Sequence, residues 1–216
     1  MINKNNWIDI SVPLQEGMVV SRSDIKFHIE RRCFIEKGDV TNNSNIHMSV
    51  HTGTHIDAPR HHFVDGKSID QIPFDVVIGP ARVIEIHDEA AIKIEELEQQ
   101  SITKGERILF KTKNSQRCWQ KNTFSPDYVY ITQEAARYLA DAEVKLIGID
   151  YLSVGSRAET AKTLPETHKI LLSAEVWLLE GLNLAGVAPG NYNFICLPIR
   201  LMQADGSPAR AVLQLV

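Results

Sequence analysis

The chain has 216 residues, of which 44% are hydrophobic and 23% are charged, as expected for a globular protein with a full core. Its formal net charge of -4 offers no basic stripe for nucleic acid, and no apolar run approaches the roughly 18 residues of a membrane span. Because the first residues lack a signal-peptide core and the three cysteines are far apart, we predict a cytoplasmic protein without disulfides, folded as one domain over residues 1–216.

The first half of the chain is predicted to be mainly extended. Alternating apolar and polar residues predict strands at 7–12, 27–35, 46–50, 78–86 and 107–111. The segment 89–100 predicts a short amphipathic helix with Ile94 and Leu97 facing inward. In the polar segment after the last of these strands, Trp119 either lines a substrate pocket or anchors a loop, and the sequence leaves both interpretations open.

The second half alternates helices with strands. Thr132 is a suitable N-cap for a helix over 133–142, and Pro165 is expected to begin another helix with His168 in its first turn. Strands are predicted at 145–150, 176–179, 193–203 and 209–216, with a turn at 205–208 before the last one. Since strands outnumber helices and the helices fall mainly between strands, the predicted fold class is α/β, with a mixed sheet and interspersed helices.

The stretch from His51 to His62 is the most informative segment of the chain. It holds four of the eight histidines together with Asp57. Imidazoles combined with a carboxylate suit zinc, manganese or iron. On a straight strand His51 and His55 would lie about 13 Å apart, too far for one ion, so we predict a strand that curls at Gly53. A polar cluster without a metal is the structural alternative.

Two residues much later in the chain are candidates for completing such a site. His168 lies near the start of a predicted helix, where the helix dipole disfavours a cation and so mildly favours a neutral, ligating imidazole. Glu180 follows two leucines, and a carboxylate in an apolar neighbourhood needs a partner such as an ion. A surface histidine and a solvated glutamate at a strand end are the alternatives, and the residues alone leave them open.

The string His-Thr-Gly-Thr-His-Ile-Asp-Ala-Pro-Arg-His at 51–61 resembles the signature of the metal-dependent cyclase-like hydrolases, a family that includes bacterial kynurenine formamidase and isatin hydrolase. The resemblance extends over nearly the whole chain, and the segment from Thr167 to Leu182 is similar to the family's second block. It implies the swivelling β/β/α architecture and a homodimer or homotetramer. It also implies one or two Zn²⁺ ions per chain, with Mn²⁺ as the alternative.

The resemblance also implies a role for each site residue. The expected metal ligands are His51, His55, Asp57, His168 and Glu180. Asp57 would join the first two around one ion and the last two around a second, while His61 would carry out acid–base catalysis. The expected reaction is hydrolysis of a small-molecule amide or formamide by a metal-activated water, with N-formylkynurenine as the leading substrate and an isatin-like cyclic amide as the second.

Two functions of other classes remain as alternatives. His55, Asp57 and His168 formally fit the two-histidine, one-carboxylate triad of a non-haem iron oxygenase, although this leaves His51, His61 and Glu180 without a role. A metal-stabilised binding protein would instead have a closed site in which protein groups fill every coordination position. Oxygen consumption would identify the first, and a lack of exchangeable bound water would identify the second.

Overall fold

The computed structural model describes residues 6–21, 24–156 and 166–216. Its strands, in chain order, are β1 (Trp7–Asp9), β2 (His28–Cys33), β3 (Asn43–His47), β4 (His55–Asp57), β5 (Ile78–Glu85), β6 (Ala91–Ile92), β7 (Arg107–Lys111), β8 (Tyr130–Ile131), β9 (Leu146–Ile149), β10 (Trp177–Glu180), β11 (Gly190–Pro198) and β12 (Gly206–Leu215). The α-helices are α1 (Phe74–Val77), α2 (Ile94–Leu97), α3 (Asn114–Arg117), α4 (Gln133–Asp141) and α5 (Glu166–Ser173). Single turns of 3₁₀ helix lie at Ile35–Lys37, Pro59–His61, Ile69–Gln71 and Glu98–Gln100.

A mixed eight-stranded sheet forms the centre of the fold, in the order β1-β12-β11-β5-β7-β9-β10-β4. Strands β5, β7, β9 and β10 run parallel, whereas β4, β11 and β12 pair antiparallel with their neighbours. The start of β12 also pairs with β4, so the sheet closes into a barrel-like arrangement. The structure therefore confirms the predicted α/β class with a mixed sheet.

The two faces of the sheet contribute to two separate hydrophobic clusters. On β7, Leu109 belongs to the cluster inside the curved sheet, whereas Ile108 and Phe110 belong to the cluster beneath α4 and α5. This alternation follows from the two-residue period of a strand. Leu139 and Leu171 bring the two helices onto the outer cluster. Together the clusters fix the parallel strands whose carboxyl ends form one edge of the sheet.

Several predicted boundaries are confirmed and several need correction. The helix over 133–142 is confirmed as α4, with the Thr132 hydroxyl accepting a hydrogen bond from the backbone N–H of Ala135. The helix over 89–100 is wrong as a single element, because Ala91–Ile92 pairs with β8 and leaves only one α-helical turn followed by one 3₁₀ turn. Helix α5 begins at Glu166, and the expectation for Pro165 falls outside the described residues.

The strand boundaries shift where tertiary pairing differs from the local pattern. The first strand is shorter than predicted, and the strand predicted at 46–50 lies at Asn43–His47 instead, where it pairs with β2. The last two strands also move. β11 covers Gly190–Pro198 rather than 193–203, and the residues read as a turn at 205–208 mostly form the beginning of β12. No helix in the described part of the chain is long and apolar enough to cross a bilayer.

Candidate metal centre

A pair of glycines sets the position of β4 beside β10. Gly53 has a φ of +66° and Gly181 a φ of +74°, and a Cβ on Gly181 would lie 1.9 Å from the carbonyl oxygen of Gly53. Between them, the Thr54 hydroxyl donates to the Gly181 carbonyl at 2.6 Å and accepts from Val12 N–H at 2.9 Å. The chain thus turns sharply at Gly53, as predicted, and pairs His55 with Glu180 across the two strands.

His55, Asp57 and Glu180 form the buried part of the site, with relative exposures of 1%, 1% and 3%. His55 Nε2 lies 3.4 Å from Asp57 Oδ1 and 3.5 Å from Glu180 Oε2. Its other nitrogen, Nδ1, donates to the Gly53 carbonyl at 2.9 Å. This bond leaves Nε2 unprotonated in the neutral ring and directed at both carboxylates, which is the orientation of a metal-ligating histidine.

Two further histidines approach this centre from other segments. His168, on α5, places Nε2 3.3 Å from Glu180 Oε1. His51, from the turn before β4, places Nδ1 2.7 Å from Asp57 Oδ1. The structure therefore brings together the five predicted ligand residues around the Asp57 and Glu180 carboxylates. His55 lies between the two carboxylates, so the geometry does not separate the ligands into the two sets that the resemblance implies.

His61, the expected acid–base residue, lies at the more exposed side of the centre. Its ring centroid is 4.2 Å from that of His51 and 4.4 Å from that of His62, and its side chain is 29% exposed. His62 in turn lies 5.2 Å from the ring of His168. A row of imidazoles thus extends from the buried carboxylates to the partly exposed His61.

Asp205 is a site residue that the sequence reasoning missed. Its Oδ2 accepts from His51 Nε2 at 2.8 Å and lies 3.3 Å from His61 Nδ1. The sequence Asp205-Gly206-Ser207-Pro208 has the composition of a turn, and no short spacing connects it to the histidine motif. The only sequence signal was that the resemblance to the hydrolase family reaches this segment.

The site has the electrostatics of a centre that attracts cations. Burial alone would lower the pKa of His55, but the Asp57 and Glu180 carboxylates raise it to about 10. Burial likewise opposes protonation of His51, and Asp57 raises its pKa to about 9. Conversely, burial would raise the pKa of Asp57, but the neighbouring imidazoles hold it well below its ordinary value. Two buried carboxylates thus hold positive charge between them, which suits a divalent cation.

The carboxyl ends of the parallel strands hold Glu180 in place. The backbone N–H of Val154 donates to Glu180 Oε1 at 2.7 Å. The loop that carries Val154 begins at Asp150, whose buried carboxylate lies at the end of β9. The oxygens of Asp150 accept hydrogen bonds from the backbone N–H and the hydroxyl of both Thr112 and Ser115. Burial raises the pKa of Asp150 to about 6 despite these donors. This anchored loop limits the movement of Glu180 away from the centre.

The donor set meets the requirements of a divalent metal site. Two groups of ligand atoms each lie within 4.8 Å of one another in the described residues, namely His51, Asp57 and His61, and His55, Asp57 and Glu180. Asp57 is common to both groups. Nitrogen and carboxylate oxygen donors in this proportion fit zinc or manganese, and the thiols of the three cysteines lie elsewhere.

Of the two interpretations of Trp119, the structure supports the loop anchor. Its Nε1 donates a hydrogen bond to the Leu182 carbonyl, and its ring packs on Tyr151.

Comparison with known proteins places this site in context. Residues 8–156 match the Cyclase family, described as "Putative cyclase". Kynurenine formamidase from Geobacillus thermodenitrificans is 40% identical over 211 residues, which cover 97% of this chain and 98% of that protein. Kynurenine formamidase from Bacillus cytotoxicus is 36% identical over 214 residues, with the same coverage of both chains.

Solved structures share the fold over nearly the whole chain. A "predicted metal-dependent hydrolase" from Bacillus stearothermophilus superposes with a TM-score of 0.81 at 35% identity, covering 96% of this chain and 97% of that one. Isatin hydrolase A from Ralstonia solanacearum superposes with a TM-score of 0.84, covering 97% of this chain and 92% of that one. At 22% identity, the second likeness shows the fold alone.

Proposed function

The chain belongs to the Cyclase family, and from this membership we propose that it is a metal-dependent amidohydrolase that hydrolyses N-formylkynurenine. The observation that carries the proposal is the buried cluster of His55, Asp57 and Glu180, in which two carboxylates face one imidazole nitrogen. A linear formamide is preferred over a cyclic amide because the formamidase relatives are 35–40% identical, whereas isatin hydrolase A is 22% identical.

The proposed ion-binding residues are those expected from the resemblance. His51, His55 and Asp57 would hold one Zn²⁺ ion, and Asp57, His168 and Glu180 would hold a second, with Mn²⁺ as the alternative metal. Asp57 belongs to both groups of donor atoms, which supports sharing of its carboxylate between the two proposed sets. The groups divide the histidines differently from those sets, because His61 lies with His51 and His55 lies with Glu180. Such ions supply Lewis acidity, which promotes the ionisation of water near neutral pH and polarises a carbonyl oxygen.

The residues of the chain account for the remaining parts of the hydrolysis. A water molecule gives up a proton as its oxygen forms a bond to the formyl carbon. The C–N bond then breaks, and its electron pair stays on nitrogen, which takes up a proton. His61 is placed to donate that proton, because it lies beside the buried centre and retains contact with solvent. The products are formate and an aromatic amine. His55 Nδ1, held by the Gly53 carbonyl, keeps its ring oriented throughout.

Substitutions that distinguish the metal ligands from the acid–base residue test this proposal. His51→Ala and Asp57→Ala should lose both bound metal and N-formylkynurenine hydrolysis, measured by elemental analysis and by absorbance. His61→Ala should retain metal but lose about 10²–10⁴-fold in kcat, the usual contribution of a general acid or base. His87→Ala is the matched control, since His87 is exposed and lies outside both groups of donor atoms. Loss of metal in His61→Ala would overturn the assigned role.

We further propose that the protein is a homodimer or a homotetramer. The β2–β3 hairpin forms a two-stranded sheet, an arrangement that is marginal in water without a covering partner. Ile29 and Ile46 are paired directly across this hairpin and are 39% and 63% exposed. A second copy of the chain covering this face would bury both. Light scattering should give at least twice the 24.3 kDa of one chain, and Ile46→Asp should shift the population towards monomer.

The remaining expectations concern domain organisation and compartment. We propose that the chain acts as one domain over residues 1–216, because the closed sheet contributes both to the core and to the site. A cytoplasmic location is supported by the three cysteines, all of which are free thiols. Cell fractionation of a tagged chain tests the compartment, and a single cooperative unfolding transition tests the domain count.

A further inference from the structure

We propose that Asp205 is the positioning residue for His61: its carboxylate accepts a hydrogen bond from the imidazole Nδ1–H and so directs Nε2 towards the leaving nitrogen of the substrate. This proposal rests on the proposed amide hydrolysis for its catalytic consequence, but its structural claim, the contact between the two side chains, can be tested without turnover. The supporting distance is 3.3 Å between His61 Nδ1 and Asp205 Oδ2.

The backbone places the Asp205 carboxylate accurately although its side chain is 46% exposed. The Asp205 carbonyl accepts a hydrogen bond from Ala58 N–H at 2.9 Å, immediately after β4. The next residue, Gly206, pairs with Asp57 in the β12–β4 register, and a Cβ there would lie 2.8 Å from His51 Cε1. Asp205 is therefore fixed from both sides against the segment that carries the histidines.

The contacts of the carboxylate connect it to the site, with His51, a proposed metal ligand, at 2.8 Å and His61 at 3.3 Å. Within the described part of the chain, its contacts with other side chains are with imidazoles, at His51 Nε2 and His61 Nδ1. It caps no helix and joins no surface lysine or arginine in the described residues. One oxygen atom of Asp205, Oδ2, contacts both rings. Such a partner is needed where the tautomer and the orientation of an imidazole must be fixed.

An ordered His61 is important for proton transfer to the leaving nitrogen. Without the carboxylate, the imidazole could rotate about its side-chain bonds or carry its proton on Nε2 or Nδ1 interchangeably. A carboxylate behind Nδ1 selects one tautomer and stabilises the protonated ring that delivers the proton. The benefit is confined to substrates whose leaving group must be protonated. A leaving group that departs as a stable anion needs no such proton.

This selectivity gives a kinetic test with the zinc-loaded protein. Asp205→Asn should lose about 10–100-fold in kcat on formanilides with basic leaving amines, and the loss should shrink steadily as ring substituents make the amine less basic. With 4-nitrophenyl formate, corrected for spontaneous hydrolysis, kcat should be nearly unchanged. Asp127→Asn is the matched control, because Asp127 is an exposed surface partner of Arg117 and should leave every substrate unaffected. An equal loss on all substrates, or loss of bound zinc, would overturn the proposal.

A double variant and nuclear magnetic resonance complete the test. In His61→Ala, adding Asp205→Asn should cause no further loss of kcat, since the carboxylate acts through the missing ring. In ¹⁵N-histidine spectra of the zinc-loaded protein at pH 8, His61 should carry its proton on Nδ1, and Asp205→Asn should remove this preference. An unchanged His61 signal would overturn the proposal. If the native protein hydrolyses no amide, the proposed function fails, and the spectra still decide whether Asp205 orients His61.

Discussion

Replacing Gly181 with alanine should disturb both the fold and the metal centre. At a φ of +74° a side chain costs about 1–2 kcal/mol. The new Cβ would also lie 1.9 Å from the Gly53 carbonyl oxygen and 2.9 Å from Thr54 N, so β4 and β10 must move apart. Crowding of this kind adds about 1–3 kcal/mol. The expected total loss of unfolding free energy is therefore about 2–5 kcal/mol.

Two assays separate the effect on stability from the effect on the site. For a chain of this size a loss of about 2–5 kcal/mol lowers the melting temperature by about 4–20 °C. Because Gly181 directly follows Glu180, whose strand pairs with that of His55, zinc affinity should also fall. Scanning calorimetry and zinc titration measure the two effects. Gly186→Ala is the control, since a Cβ there meets nothing within 4 Å. Equal melting temperatures for the two variants would refute the reasoning.

Three other perturbations address the site and one element outside it. Gly206→Ala would place a Cβ 2.8 Å from His51 Cε1 and 2.9 Å from the Ile56 carbonyl oxygen, so elemental analysis should show reduced zinc, and the β12–β4 pairing should lose stability. In metal-free protein, pKa values of about 9 for His51 and about 10 for His55, raised by the neighbouring carboxylates, exceed the ordinary 6.5. The stabilisation from these groups is thus complete below about pH 6.5 and is lost as the pH rises through 9–10, which thermal melts across pH should show. Thr132→Ala removes the cap of α4 and should cost about 1 kcal/mol in urea unfolding without changing zinc content.

Local signals in the sequence predicted the elements whose ends are fixed by local chemistry. Helix α4 was predicted because Thr132 supplies its own cap and the apolar residues repeat at helical spacing. The bend at Gly53 was predicted because two metal ligands cannot lie about 13 Å apart on one strand. The helix predicted over 89–100 was wrong as a single element because Ala91–Ile92 pairs with β8, and helical periodicity in the sequence does not encode this pairing.

The part of the site that the sequence did not show depends on long-range strand pairing. Gly206, Ser207 and Pro208 have turn composition, yet they form a strand because β4 offers them a pairing edge. That pairing brings Asp205 to His51 and His61, which lie far away in the sequence. By contrast, His168 and Glu180 were identified as candidates because a helix start and an apolar strand end gave each an unusual setting.

The most direct test of the central claim combines zinc content with hydrolysis. Purified protein should contain one or two zinc or manganese ions per chain and should convert N-formylkynurenine to kynurenine and formate. A chelator should abolish this activity, and added zinc or manganese should restore it. Protein that takes up no divalent metal at the centre of His55, Asp57 and Glu180, even after reconstitution, would contradict the account.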